Sequence, residues 1–100
     1  MIQISSIETN KAERMMKALC NHFARKITAK YEGDKGYIEF GDGKCEITAT
    51  SSTLTLRVEA ENADSLARVV RVVVEHLLRF TPEDNFQISW RDPSKNSAGI

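Results

Sequence analysis

Four side chains in this 100-residue sequence, Cys20, His22, Cys45 and His76, are of the types that hold a metal or activate a nucleophile. A His/Cys quartet is the composition of a zinc site, in which thiolate sulfur and imidazole nitrogen supply four closed ligands. The same residues also suggest a thiol nucleophile with a histidine beside it. Spacing argues against a single centre. Successive helical residues turn by about 100°, so Cys20 and His22 stand roughly 160° apart around one helix and cannot both point at one ion. Packing is the alternative for each: free cysteine is among the most buried residue types, and an imidazole at a core boundary packs its ring while hydrogen-bonding its nitrogens. The candidate metal ligands are therefore Cys20, His22 and Cys45. His76 and Trp90 make a further candidate polar site, although Trp90 also fits a core anchor. No cofactor is expected.

Other chemistry lacks its motifs. There is no Gly-rich phosphate loop, no Gly-x-Ser-x-Gly elbow and no His-Glu-x-x-His pair. Gly41-Asp42-Gly43 fits a hairpin turn, and Glu39, Glu46 and Glu59 fall on a solvated face without evident pairing for acid–base work. No catalytic residue is assigned.

The elements that must position these groups follow from periodicity. Ala12, Met15, Met16, Leu19, Cys20, Phe23 and Ile27 recur at helical spacing, which predicts a first helix over about Lys11–Lys26 with Asn10 as its N-cap and Glu13 as the reciprocal partner. A second helix begins after Asn62, carries the stripe Leu66, Val70, Val73, Leu77 and Phe80, and stops at Pro82. Its outer face sets Arg71, Glu75 and Arg79 at spacing four. Between the helices the period becomes two, giving four strands around Ile27–Tyr31, Ile38–Phe40, Cys45–Ala49 and Leu54–Ala60. Glycine-containing turns between them permit the positive backbone angles of tight hairpins, so the four form an antiparallel meander. Ile2 and Ile4 mark a short first strand, and Phe86, Ile88 and Trp90 a last one.

The order β-α-β-β-β-β-α-β, with both helices on one sheet face, is an α+β two-layer sandwich in a single domain over residues 1–92, followed by a flexible polar tail at 93–100. The opposite face is polar, including Lys30, Tyr37, Glu39, Glu46, Arg57, Glu59 and Arg91. Alternating strand direction places Cys20, His22 and Cys45 at one pole of the sandwich and His76 at the other.

Fourteen basic and fourteen acidic side chains cancel, so the field that draws nucleic-acid binders to phosphate is missing, and the polar face has only Tyr37 as a stacking aromatic. Nucleic acid is not an expected partner; a protein partner or a small ligand is. Charge is uneven along the chain: residues 1–30 hold six basic and two acidic groups, residues 31–64 three basic and eight acidic. Lys11, Arg14, Lys17 and Arg25 make the outer side of the first helix a candidate basic docking face. Two cysteines without Cys-x-x-Cys spacing, no signal pattern at Met1–Lys11 and no apolar run long enough to span a bilayer point to a cytoplasmic protein.

Several segments together resemble a known family. Leu19-Cys20-Asn21-His22-Phe23-Ala24-Arg25-Lys26, Phe40-Gly41-Asp42-Gly43-Lys44-Cys45, Leu54-Thr55-Leu56, Leu66-Ala67-Arg68-Val69, His76-Leu77-Leu78-Arg79-Phe80 and Trp90 are similar to the bacterial family called domain of unknown function 2218, over about residues 8–92. In that family the first segment often reads His-Phe-Ala-His-Lys, whereas this chain has Arg25 at the second histidine, which weakens a metal role there. The resemblance implies a small bacterial cytosolic protein and brings no catalytic residue. Relatives resembling partners of siderophore-interacting reductases imply iron handling. The function expected is a small non-enzymatic binding or accessory domain, linked through the resemblance to iron–siderophore metabolism. The alternatives are a small metal- or haem-binding protein using Cys45 with His22 or Cys20, and a thiol-dependent enzyme.

Overall fold

The alternating stretch that ends at Ala60 forms four strands, and two helices cover one face of them. The computed structural model describes residues 1–80 and 88–93. In chain order these form β1 (Ile2–Glu8), α1 (Ala12–Phe23), β2 (Ala29–Glu32), β3 (Lys35–Phe40), β4 (Gly43–Ala49), β5 (Thr53–Ala60) and α2 (Ala63–Phe80). The sheet is antiparallel with spatial order β1-β5-β4-β3-β2, which is the α+β layout that the periodicity predicts. Of the expected last strand, Phe86 lies outside the described residues. What is described is a return along the β1 edge, where Arg91 pairs with Ile4 through reciprocal backbone bonds of 2.9 and 3.0 Å. The expected tail lies outside the described residues from 94 onward.

Local chemistry sets the element ends. Asn62 caps α2: its side-chain oxygen accepts the Ser65 N–H at 2.9 Å. Asn10 does not cap α1. The N-cap is Lys11, without a side-chain cap bond, and its N–H donates instead to the Thr9 hydroxyl at 3.0 Å. The chain leaves β1 through a Thr9 turn that moves the helix start one residue along. Among the described residues only Gly33 has a positive φ, 60°, at the first position of the β2–β3 turn, where a II′ hairpin requires it. Gly41 and Gly43 do not use that freedom. Gly43 is needed for space, since a Cβ there would run into the Glu59 carbonyl oxygen.

The core lies between sheet and helices. Met15, Met16, Leu19, Cys20 and Phe23 of α1 and Leu66, Val69, Val73 and Leu77 of α2 pack on Ile38, Cys45, Ile47, Leu54, Leu56 and Val58. Val69 takes the buried place expected of Val70, which is half-buried at the edge of the same stripe; steps of three and four fit a 3.6-residue turn in either order, so both valines border the core. Ile2 and Ile4 pair with Glu59 and Arg57 on the polar face, so β1 turns Ser5 and Ile7 inward, opposite Leu56 and Leu54.

Helix direction departs from the expected arrangement, and it matters most for the site. β1 and β2 lie at opposite sheet edges, so the segment joining them must cross the sheet. Four inter-strand gaps are about 19 Å. The 12 residues of α1 span about 18 Å. The helix is the crossing: it packs on β2, β3, β4 and β5 in turn. Height along the strands therefore does not fix its end, and the expected separation of His76 from His22 does not occur. α2 packs on β5, β4 and α1, and passes the β3–β4 hairpin, where Arg68 meets Asp42 at 3.1 Å.

Candidate functional site

The four candidate ligands divide into two pairs. Cys20, on the inner face of α1, and Cys45, on β4, are free thiols fully buried in the core. Burial pushes the Cys45 thiol up to about 12, with the nearby Cys20 and Glu46 charges adding to it. Burial also raises Cys20, partly offset by a hydrogen bond from the Tyr37 backbone. Thiols so held are packing groups rather than nucleophiles or ready ligands.

The imidazoles come together at the outer end of the core. His22, in the last turn of α1, and His76 of α2 have ring centroids 4.9 Å apart with a 46° tilt. Phe23 stands between them and the sheet, 5.3 Å from His22, 4.8 Å from His76 and 5.1 Å from Phe40 of β3. His76 Nδ1 lies 2.7 Å from the Val72 carbonyl oxygen. A carbonyl only accepts, so Nδ1 carries the proton and the lone pair of the neutral ring is on Nε2. The proton on His22 is disfavoured, first by desolvation and then by His76, Arg25, Arg79 and Lys26, which hold its pKa below the ordinary histidine value.

A cleft of about 420 Å³ opens beside this cluster, between α2 and the β3–β4 hairpin, lined by Phe40, Asp42, Arg68, Val69, Arg71 and Val72. Its inner wall, Phe40 and Val72, also supports the imidazole pair, through the Phe23–Phe40 contact and the Val72–His76 bond. The polar sheet face is occupied differently. Arg57 pairs with Glu46 at 2.7 Å and Glu59 at 3.3 Å, and Lys44 with Glu59 at 3.6 Å. Two of the carboxylates expected to be unpaired are thus in an ion-pair network.

Comparison with known proteins places the chain. The sequence profile of a family described as an uncharacterized protein conserved in bacteria, domain of unknown function 2218, matches residues 4–91. The chain belongs to this family. The NMR structure of PA4090 from Pseudomonas aeruginosa is similar to it, with 30% sequence identity over 90% of this chain and 94% of that one and a TM-score of 0.77. No curated protein matches.

Within this member of the domain of unknown function 2218 family, the other expected site residues are dispersed. Arg14 is exposed on α1. Lys17 is held by Glu13 at 2.8 Å and lies 5.9 Å over the Tyr31 ring. Lys11 is half-buried at the helix start. Arg25 falls beyond the helix, next to His22 rather than in line with the other three. Trp90 is half-buried against the core. Among the described residues no three His, Cys, Asp or Glu side chains assemble as a metal site. Arg79 belongs to the surroundings of His22 and carries no signal in spacing, because it meets it from α2, whereas Lys26 lies four residues after His22 in the chain. Among the described residues, no helix is long and apolar enough to cross a membrane.

Proposed function

We propose that this chain is a small non-catalytic binding module, acting in the cytoplasm, whose recognition surface is the His22–His76 pair with Arg25, Lys26 and Arg79, and whose ligand is anionic. The observation that carries the reading is the meeting of two imidazoles amid cations that work against protonation of His22. An imidazole that has taken up a second proton donates from both nitrogens, and in a positive surround such a ring binds an oxyanion through charge-assisted hydrogen bonds. The same surround repels a metal cation, which favours an anion over the metal- or haem-binding alternative. Burial of both thiols speaks against thiol catalysis. A role in iron–siderophore metabolism rests on the family resemblance alone.

The test is a titration of the isotope-labelled protein with inorganic phosphate, followed by NMR of the histidine rings. Saturable shifts centred on His22 and His76, weakened in the Arg25→Glu and Arg79→Glu variants, are expected. Shifts confined to other surfaces overturn the reading.

A further inference from the structure

We infer that the β2 edge of the sheet is a self-recognition surface, through which two copies of this chain join their sheets as an antiparallel pair centred on Tyr31. The two sheet edges differ. β1 is partly covered by the returning chain at the Ile4–Arg91 pair, whereas β2 has no strand beyond it among the described residues. The Glu39 N–H donates to the Thr28 carbonyl oxygen at 2.8 Å, so by alternation the backbone groups of Lys30 and Glu32 face β3 and those of Ala29 and Tyr31 point outward. A row of outward N–H and C=O groups is a template for another strand, and charged side chains are the usual guard against it. Here the charges are of both signs and suit a second copy of the same strand.

Charge selects the register. Lys30, opposite Tyr37, and Glu32, opposite Lys35, are exposed on the polar face, while Tyr31, 37% exposed, lies on the helix side opposite Gly36. Two copies related by a twofold axis bond only where outward groups meet outward groups. With Tyr31 opposite itself, Lys30 of each copy faces Glu32 of the other, and both cross-strand pairs attract. Moving the axis to Lys30 or to Glu32 sets like charges opposite each other. In the Tyr31-centred register the polar face reads Lys35, Glu32 and the second copy's Lys30 across the junction, alternating in sign. The strand is four residues long, so the contact falls below the roughly 800 Å² per partner of a stable interface, and the dimer is weak and concentration-dependent.

The experiment is sedimentation velocity of the full chain from about 10 µM to about 1 mM, the range in which weak association shows. A monomer–dimer equilibrium is expected, weakened by added salt because exposed charges are screened. Exchange of the Tyr31 amide proton should slow as concentration rises, while that of Lys30, already facing β3, should not change. Lys30→Glu and Glu32→Lys each create two like-charge pairs across the junction and should weaken self-association at least about tenfold. An equimolar mixture of the two single variants opposes unlike charges again, so it should dimerise more tightly than either variant alone, and the double variant should recover the parent's behaviour. A chain that sediments as a monomer throughout the range overturns the inference. So does a dimer that leaves exchange at Tyr31 unchanged, or one that both single variants leave intact.

Discussion

The rings of His22 and His76 meet at 4.9 Å between centroids and join the end of α1 to α2. Desolvation and then the neighbouring positive groups lower the His22 pKa in the folded chain, so the unfolded chain binds this proton more readily. The sign follows: the stability linked to His22 is present above its unfolded pKa, about 6.5, and is lost as the pH falls towards the folded value. Denaturation midpoints measured from about pH 8 down to about pH 5 should fall, and His22→Asn should flatten that slope. An unchanged slope in the variant would place its origin elsewhere.

The two asparagines with cap-like sequence contexts should behave oppositely. Asn62 bonds the Ser65 N–H, and Asn62→Ala should cost about 1 kcal/mol in a urea titration. Asn10 is exposed and is not the α1 cap, so Asn10→Ala should stay within about 0.5 kcal/mol of the parent. A larger loss at Asn10 would return the cap to it.

That contrast marks what can be read from residue order. Asn62 is legible because its capping geometry involves residues within one turn. The β4 and β5 faces are legible because Cys45, Ile47 and Ala49, and Leu54, Leu56, Val58 and Ala60, alternate strictly against polar neighbours. The His22–His76 contact was not legible. It depends on α1 crossing from one sheet edge to the other, and the edge positions of β1 and β2 are set by pairings far apart in sequence. Strand direction alone misplaces His76, since it says nothing about the angle at which a helix crosses the strands.

Two glycines should be intolerant of a methyl group for different reasons. A Cβ at Gly36 would lie 3.0 Å from Met16 Cγ and 3.1 Å from Cys20 Sγ, side-chain atoms that can shift. Gly36→Ala should therefore cost about 1–3 kcal/mol, the usual range for overpacking a core. At Gly43 the obstacle is the β5 backbone at Glu59, which cannot move without disturbing the β4–β5 ladder. Gly43→Ala should be the more damaging substitution, read as the larger drop in thermal midpoint. The reverse order would mean that β5 yields more easily than the side chains under α1.

Ser5 points inward from β1, is 1% exposed, and its hydroxyl has no hydrogen-bond partner among the described residues. An unsatisfied buried hydroxyl costs roughly 1–3 kcal/mol of desolvation. Ser5→Ala removes that cost and little volume, so the variant should be more stable by about 1 kcal/mol in denaturant titration. A loss of stability would reveal a partner for the hydroxyl, such as a buried water.

The thiol-enzyme alternative is tested most directly by labelling. Cys45 and Cys20 are both fully buried, and deprotonation of Cys45 is held off until about pH 12. Because the thiolate is the reacting species, a mild disulfide reagent at neutral pH should modify neither residue on the time scale of mixing. Modification should instead proceed at the rate of opening of the native chain, and both thiols should react at once in denaturant. Substituting either cysteine by alanine should remove one labelling equivalent in denaturant and leave the native protein unreactive. Rapid labelling of one thiol in the folded chain would contradict the packing assignment and restore the nucleophile reading for that residue.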